Sequence, residues 1–175
     1  MKTIDFVRFG SALCLMILPA AVAGAQSMTD PAPIVTAFNE TCRRGFPNLD
    51  TIRQRAESQG WIRRSFPRFA EDGRKLRTAA LPYFLQKGGM MLVMSAPYKR
   101  RTRSSCLISV RAEGSLDNRG LAEAVSAALG VGQASVVKER GVVSATWHVN
   151  SGMVVTTSVI ESGGIRMANL AVLTS

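Results

Sequence analysis

Three small groups of residues in this chain carry side chains suited to chemistry. The first surrounds His148, the only histidine among 175 residues. Alternate residues of an extended strand share a face, so Ser144, Thr146 and His148 form one row within Val143–Val149. A hydroxyl beside an imidazole is the beginning of a nucleophile–base pair. No G-x-S-x-G elbow presents such a serine, however, and an exposed strand histidine fits the same pattern without catalysis. The second group is the cysteines, Cys14, Cys42 and Cys106. The third is the run from Tyr98 through Lys99, Arg100 and Arg101 to Arg103. This is a cationic tip with an aromatic beside it, and it suits lipid phosphates, acidic glycans, an acidic protein or single-stranded nucleic acid. A solubilising, edge-protecting loop is the competing reading.

Other chemistry is poorly provided for. The carboxylates are scattered, and the adjacent pair Glu71–Asp72 sits among arginines, which reads as local ion pairing and not as an acid–base couple. Gly130–Val131–Gly132 follows a predicted helix and lacks a third glycine, so it reads as a helix stop and not as a phosphate loop. One histidine and no C-x-x-C motif make a transition-metal site improbable. The expectation is no metal, no cofactor, no catalytic residue, and a protein that is more readily a binder than an enzyme.

The N-terminus gives an address. Lys2 and Arg8 precede an apolar run, Ser11–Val22, broken by Pro19 and followed by Ala23–Gly24–Ala25. This is the layout of a secretory signal peptide cut near Ala25, with an apolar run too short to span a bilayer. Leu13 sits where a lipoprotein signal before Cys14 wants a small residue. The expectation is a single exported domain, Gln26–Ser175, periplasmic or secreted, with no transmembrane segment after cleavage. The chain holds 22 Lys and Arg against 12 Asp and Glu, net +10. The leader removes Lys2, Arg8 and Asp5, so the remainder stays strongly basic. It also removes Cys14, leaving Cys42 and Cys106 with a single pairing in an oxidising compartment. Export argues against nucleic acid as the physiological partner.

The elements that position these groups follow from period and punctuation. Ile34, Phe38 and Cys42 recur every four residues, one stripe of a helix. That helix starts at Asp30–Pro31 and stops at Gly45 in a left-handed conformation. A second helix covers about 49–58, capped by Asn48 or Asp50 and ended by Gly60. Residues 61–80, rich in arginine and interleaved aromatics, read as an irregular connection. Strands are predicted over 81–86, 90–96 and 104–112, the last placing Cys106, Ile108 and Val110 on one face. A helix over about 119–129 follows, capped by Asp117 or Asn118 and stopped by Gly130. Residues 132–141 read as a loop or a short strand around Val136 and Val137. A meander completes the chain, with strands over 143–149, 153–160 and 165–174 and a bulge at Asn169.

These elements predict an α+β fold. An antiparallel sheet of about six strands carries helices on one face, in the order α-α-β-β-β-α-β-β-β. The order divides into two α-plus-meander halves without a residue-level repeat. If the Cys42 stripe packs on the Cys106 face, the two sulfurs meet, and closing that loop contributes about 4 kcal/mol by chain entropy. The opposite sheet face should then be polar and hydroxyl-rich, carrying Ser105, Ser109, Arg111, Ser144, Thr146, His148, Thr156 and Ser158.

Phe38-x3-Cys42, Gly60–Trp61 after a helix, and Cys106–Leu107–Ile108–Ser109–Val110 together resemble small exported proteins of alphaproteobacterial type. The resemblance implies an exported, disulfide-linked α+β domain and brings no active-site residues. The functional expectation is a non-enzymatic envelope domain whose cationic surface meets an anionic envelope component or an acidic protein. The alternatives are a small hydrolase or inhibitor using the hydroxyl-rich face around His148, and a structural subunit of an envelope assembly.

Overall fold

The computed structural model describes residues 28–64, 83–97, 103–139, 142–150 and 152–174. Within them the fold is α+β. α1 (Ala32–Ala37) continues into a π-helical turn (Phe38–Arg43), and α2 (Leu49–Ser58) follows. Four strands come next: β1 (Ile62–Arg63), β2 (Tyr83–Lys87), β3 (Met90–Ser95) and β4 (Ser105–Arg111). Then come α3 (Asn118–Leu129), β5 (Ser135–Glu139), β6 (Val142–Asn150), β7 (Met153–Ser162) and β8 (Ile165–Thr174). The strands form one antiparallel sheet in the order β1-β2-β3-β4-β8-β7-β6-β5.

The expected six strands are therefore eight. β1 is only two residues long and lies in an arginine-rich run, so it left no alternation to detect. β5 carries valines exposed on both sides, so its pattern shows no buried face. Each half of the chain is a helical segment followed by a four-stranded meander, and the last strands of the two halves, β4 and β8, pair at the centre. Read outward from that pair, the strand order is the same on both sides.

The helices lie on one face. Ile34, Phe38 and Cys42 are fully buried against Cys106, Ile108 and Val110. The Cys42–Cys106 disulfide joins the π-helical turn to the central strand, with Cα atoms 5.7 Å apart across a sequence separation of 64. On the other half, α3 presents Leu121, Val125 and Leu129 to the same core, and the Trp147 indole N–H donates to the Ser126 hydroxyl at 3.1 Å. The caps resolve to Asn48, which accepts from the Thr51 N–H, and Asp117, which accepts from the Gly120 N–H. Gly60 and Gly130, expected to end their helices, have positive φ of 83° and 62°.

The first helix departs from expectation at both ends. Pro31, not Asp30, stands at the helix start, although the Asp30 carboxylate accepts from the Ala32 N–H at 2.9 Å. Gly45 is not left-handed. Its role is close approach: a Cβ there would stand 2.7 Å from Ile52 Cγ1 and 3.1 Å from the Ile52 nitrogen. Gly45→Ala should push α2 off the core and cost about 1–3 kcal/mol of stability in thermal unfolding, as overpacking does.

β8 shows no bulge at Asn169. Its register runs unbroken against both neighbours. Ala168, Leu170 and Val172 face the core, while Ile165 and Met167 lie on the opposite face. The apparent phase shift arises only if every apolar residue faces the core, and this sheet has apolar residues on both faces. The register irregularity lies between His148 and Asn150.

Candidate functional site

The sheet face away from the helices is uncovered by any described element. Its composition follows from the register. One cross-strand row runs Phe84, Val93, Leu107, Ala171, Thr156, Thr146 and Ser135, from β2 across to β5. The next runs Gln86, Met91, Ser109, Asn169, Ser158, Ser144 and Val137. The expected hydroxyl-rich face is thus correct for β6 and β7. β4 likewise carries Ser105, Ser109 and Arg111 on this face, with Leu107 the exception, while β2 and β3 add the apolar Phe84, Met91 and Val93.

The centre of this face is tied together by polar contacts. The Ser109 hydroxyl donates to Asn169 Oδ1 at 2.7 Å, and Asn169 Nδ2 donates to the Ser158 hydroxyl at 3.5 Å and the Met167 carbonyl at 3.4 Å. Ser109 is only 4% exposed. Losing its partner would leave a buried hydroxyl unpaired, so Asn169→Ala should cost about 1–3 kcal/mol in chemical denaturation.

His148, Thr146 and Ser144 do share this face, as the alternation requires. His148 is exposed and pairs in register with Val154. Ser144 donates to the Val137 carbonyl at 3.4 Å, and no hydrogen bond among the described residues joins His148 to either hydroxyl. Two clefts, of about 400 and 260 Å³, lie instead by the first half. One is lined by Thr36, Glu40, Gln59 and Trp61, the other by Arg64, Gln86, Met90 and Met91, and His148 lines neither. Among the described residues no group of three or more His, Cys, Asp or Glu is placed to hold a metal.

The sheet has two unlike ends. At one, the β2–β3 turn lies beside the β7–β8 turn. At the other, the chain leaves β1 after Arg64, re-enters at Tyr83, and passes from Ser95 to Ser105 between β3 and β4. This second end is pinned by Ser104 and Thr174: the Thr174 N–H donates to the Ser104 carbonyl and the Ser104 N–H to the Thr174 hydroxyl, both at 3.1 Å. Ser95, Ser105, Leu173, Val154 and His148 form its outermost open-face row. Of the proposed cationic tip, Arg103 is described and exposed, whereas Tyr98, Lys99, Arg100 and Arg101 lie outside the described residues. The irregular connection expected over 61–80 likewise falls mostly outside them, although Trp61 is buried and Ile62–Arg63 is a strand.

Charge divides between the halves. From Gln26 to Arg111 there are sixteen Lys and Arg against six Asp and Glu. From Ala112 onward Arg119, Lys138, Arg140 and Arg166 are outweighed by Glu113, Asp117, Glu123, Glu139 and Glu161. The ion pairs among the described residues are Arg53–Asp50, Arg111–Glu113 and Arg119–Glu123. Arg166 is occupied by the Gly114 and Leu116 carbonyls. Arg63, Arg64, Lys87 and Arg103 are in none of these pairs. Sequence reasoning singled out the tip but missed this wider asymmetry, because the signal is a comparison of charge between the two halves and not a local run.

Among the described residues no helix is long and apolar enough to cross a membrane, which does not bear on β-barrel spans. No family model, curated protein or solved structure matches the chain.

Proposed function

We propose that this is an exported, non-enzymatic binding domain of the cell envelope whose basic sheet end meets an anionic surface or an acidic protein. One observation carries the reading. Arg64, Tyr83, Pro97 and Arg103, the described residues that flank the cation-rich sequence stretches 65–82 and 98–102, all stand at the same end of the sheet. Positive charge gathered at one end produces a directional field that draws and orients an anion, which the same charge spread evenly would not do. The two-cysteine pairing fits an oxidising compartment, and the N-terminal leader supplies the route.

The test is retention of the exported protein on anionic vesicles, lipopolysaccharide and peptidoglycan, at low and at moderate salt. A variant with Lys99, Arg100, Arg101 and Arg103 all changed to Ala is the comparison. Salt-sensitive binding by the native protein that the variant loses supports the proposal. Equal, negligible binding by both overturns it.

A further inference from the structure

The two lateral edges of the sheet are not alike, and the difference points to a second copy of this chain. The β1 edge is two residues long, with the Arg63 guanidinium 4.6 Å from the Tyr83 ring centroid and Arg64 Nε donating to Gln86 Oε1 at 2.9 Å. Short length and charge are the usual means of blunting an edge against further pairing. The β5 edge is five residues long and, among the described residues, pairs on one side only, with β6. Val136 is 67% exposed and Val137 50%, on opposite faces, while neighbouring Val143 on β6 is 36% exposed. Ala145, directly opposite Val136, is fully buried. The helical layer therefore ends between β6 and β5, leaving an apolar ridge along an open ladder.

We infer that two copies of this chain pair antiparallel along β5, making one continuous sheet about a two-fold axis. Two features select a second copy as the occupant. The first is self-complementarity. A two-fold centred on Val137 sets Val137 of one copy against Val137 of the other, Val136 against Lys138, and Ser135 against position 139. All five residues pair, and no like charges stand directly opposite each other. The second is electrostatic. A strongly basic protein repels its own copies, but this edge belongs to the half whose charges nearly cancel. The β3–β4 connection lies between four and five strand spacings away, about 20 Å, which exceeds the Debye length of about 8 Å at physiological salt. Pairing through β5 thus keeps the two basic halves on the outside. The contact is smaller than a standard stable interface, so association should be weak and concentration-dependent. The inference is independent of any anion binding.

Sedimentation velocity on the exported protein, from low to high micromolar concentration at moderate salt, is the test. The native protein should shift from monomer towards dimer as concentration rises. Val137→Lys places two ammonium groups opposite each other and should hold the protein monomeric with an unchanged melting temperature. Val137→Cys should oxidise in air to a covalent dimer, whereas Val93→Cys, on the same sheet face but far from the edge, should not. A native protein that stays monomeric throughout overturns the inference. So does a Val137→Lys variant that dimerises as the native protein does, or a Val137→Cys variant that cross-links no faster than Val93→Cys.

Discussion

Removing the four cations Lys99, Arg100, Arg101 and Arg103 should weaken binding to anionic vesicles by two to three orders of magnitude at low ionic strength. Each Lys or Arg near an anionic surface contributes about 1 kcal/mol, so four give about 4 kcal/mol, or about a thousandfold. Overlapping fields reduce the sum somewhat. The loss should shrink as salt rises, because the Debye length falls from about 30 Å at 0.01 M to about 8 Å at 0.15 M. The variant should fold normally. Arg103 is exposed, and the strands that the segment joins are held in register by Met94 with Cys106 and by Ser95 with Ser105. Equilibrium binding to vesicles of graded anionic lipid content checks the prediction, with neutral vesicles as the control for non-electrostatic adsorption.

Breaking the Cys42–Cys106 bond should be the most damaging single change to the fold. Both residues are fully buried, and the bond closes a loop of 64 residues of separation. Chain entropy alone assigns such a bond about 4 kcal/mol. The whole stability of a domain this size is about 5–15 kcal/mol, so the loss takes a large share. Replacing both cysteines by Ala should lower the denaturation midpoint sharply, and Cys42→Ser alone should do worse, since it buries a hydroxyl and leaves a free thiol. Denaturant unfolding with and without reductant provides the measurement. Both cysteines of the untreated protein should resist alkylation.

What was legible in the chain depended on how many constraints each residue satisfied. The stripe Ile34, Phe38 and Cys42 and the face Cys106, Ile108 and Val110 were readable because each is buried on one side only, so period reveals the face. The Asn48 and Asp117 caps were readable as one of two neighbouring residues each. Gly45 was misread because helix-stop glycines and close-approach glycines look alike until Ile52 is placed against them. The bulge assigned to Asn169 failed for a related reason. Met167 and Ile165 are apolar yet face away from the core, and period alone cannot tell which apolar face is covered.

The candidate site was less legible than the core. The row Ser144, Thr146 and His148 was visible within one strand. The apolar part of the same face, Phe84, Val93 and Leu107, comes from three strands whose register no local pattern supplies. β5 reads as either a loop or a short strand because its exposed valines imitate scattered apolar loop residues, and the same exposure makes it a candidate edge for pairing.

The central claim is that a single end of the sheet faces the anion. Amide NMR of the isotope-labelled protein, titrated with anionic vesicles, tests it most directly. Signals of Ser95, Ser104, Ser105 and Thr174 should broaden first, while those of Gly88, Ser162 and Gly163 at the opposite end stay unchanged. Broadening that begins at Gly88 and Gly163, or that spreads evenly over both ends, would contradict the account.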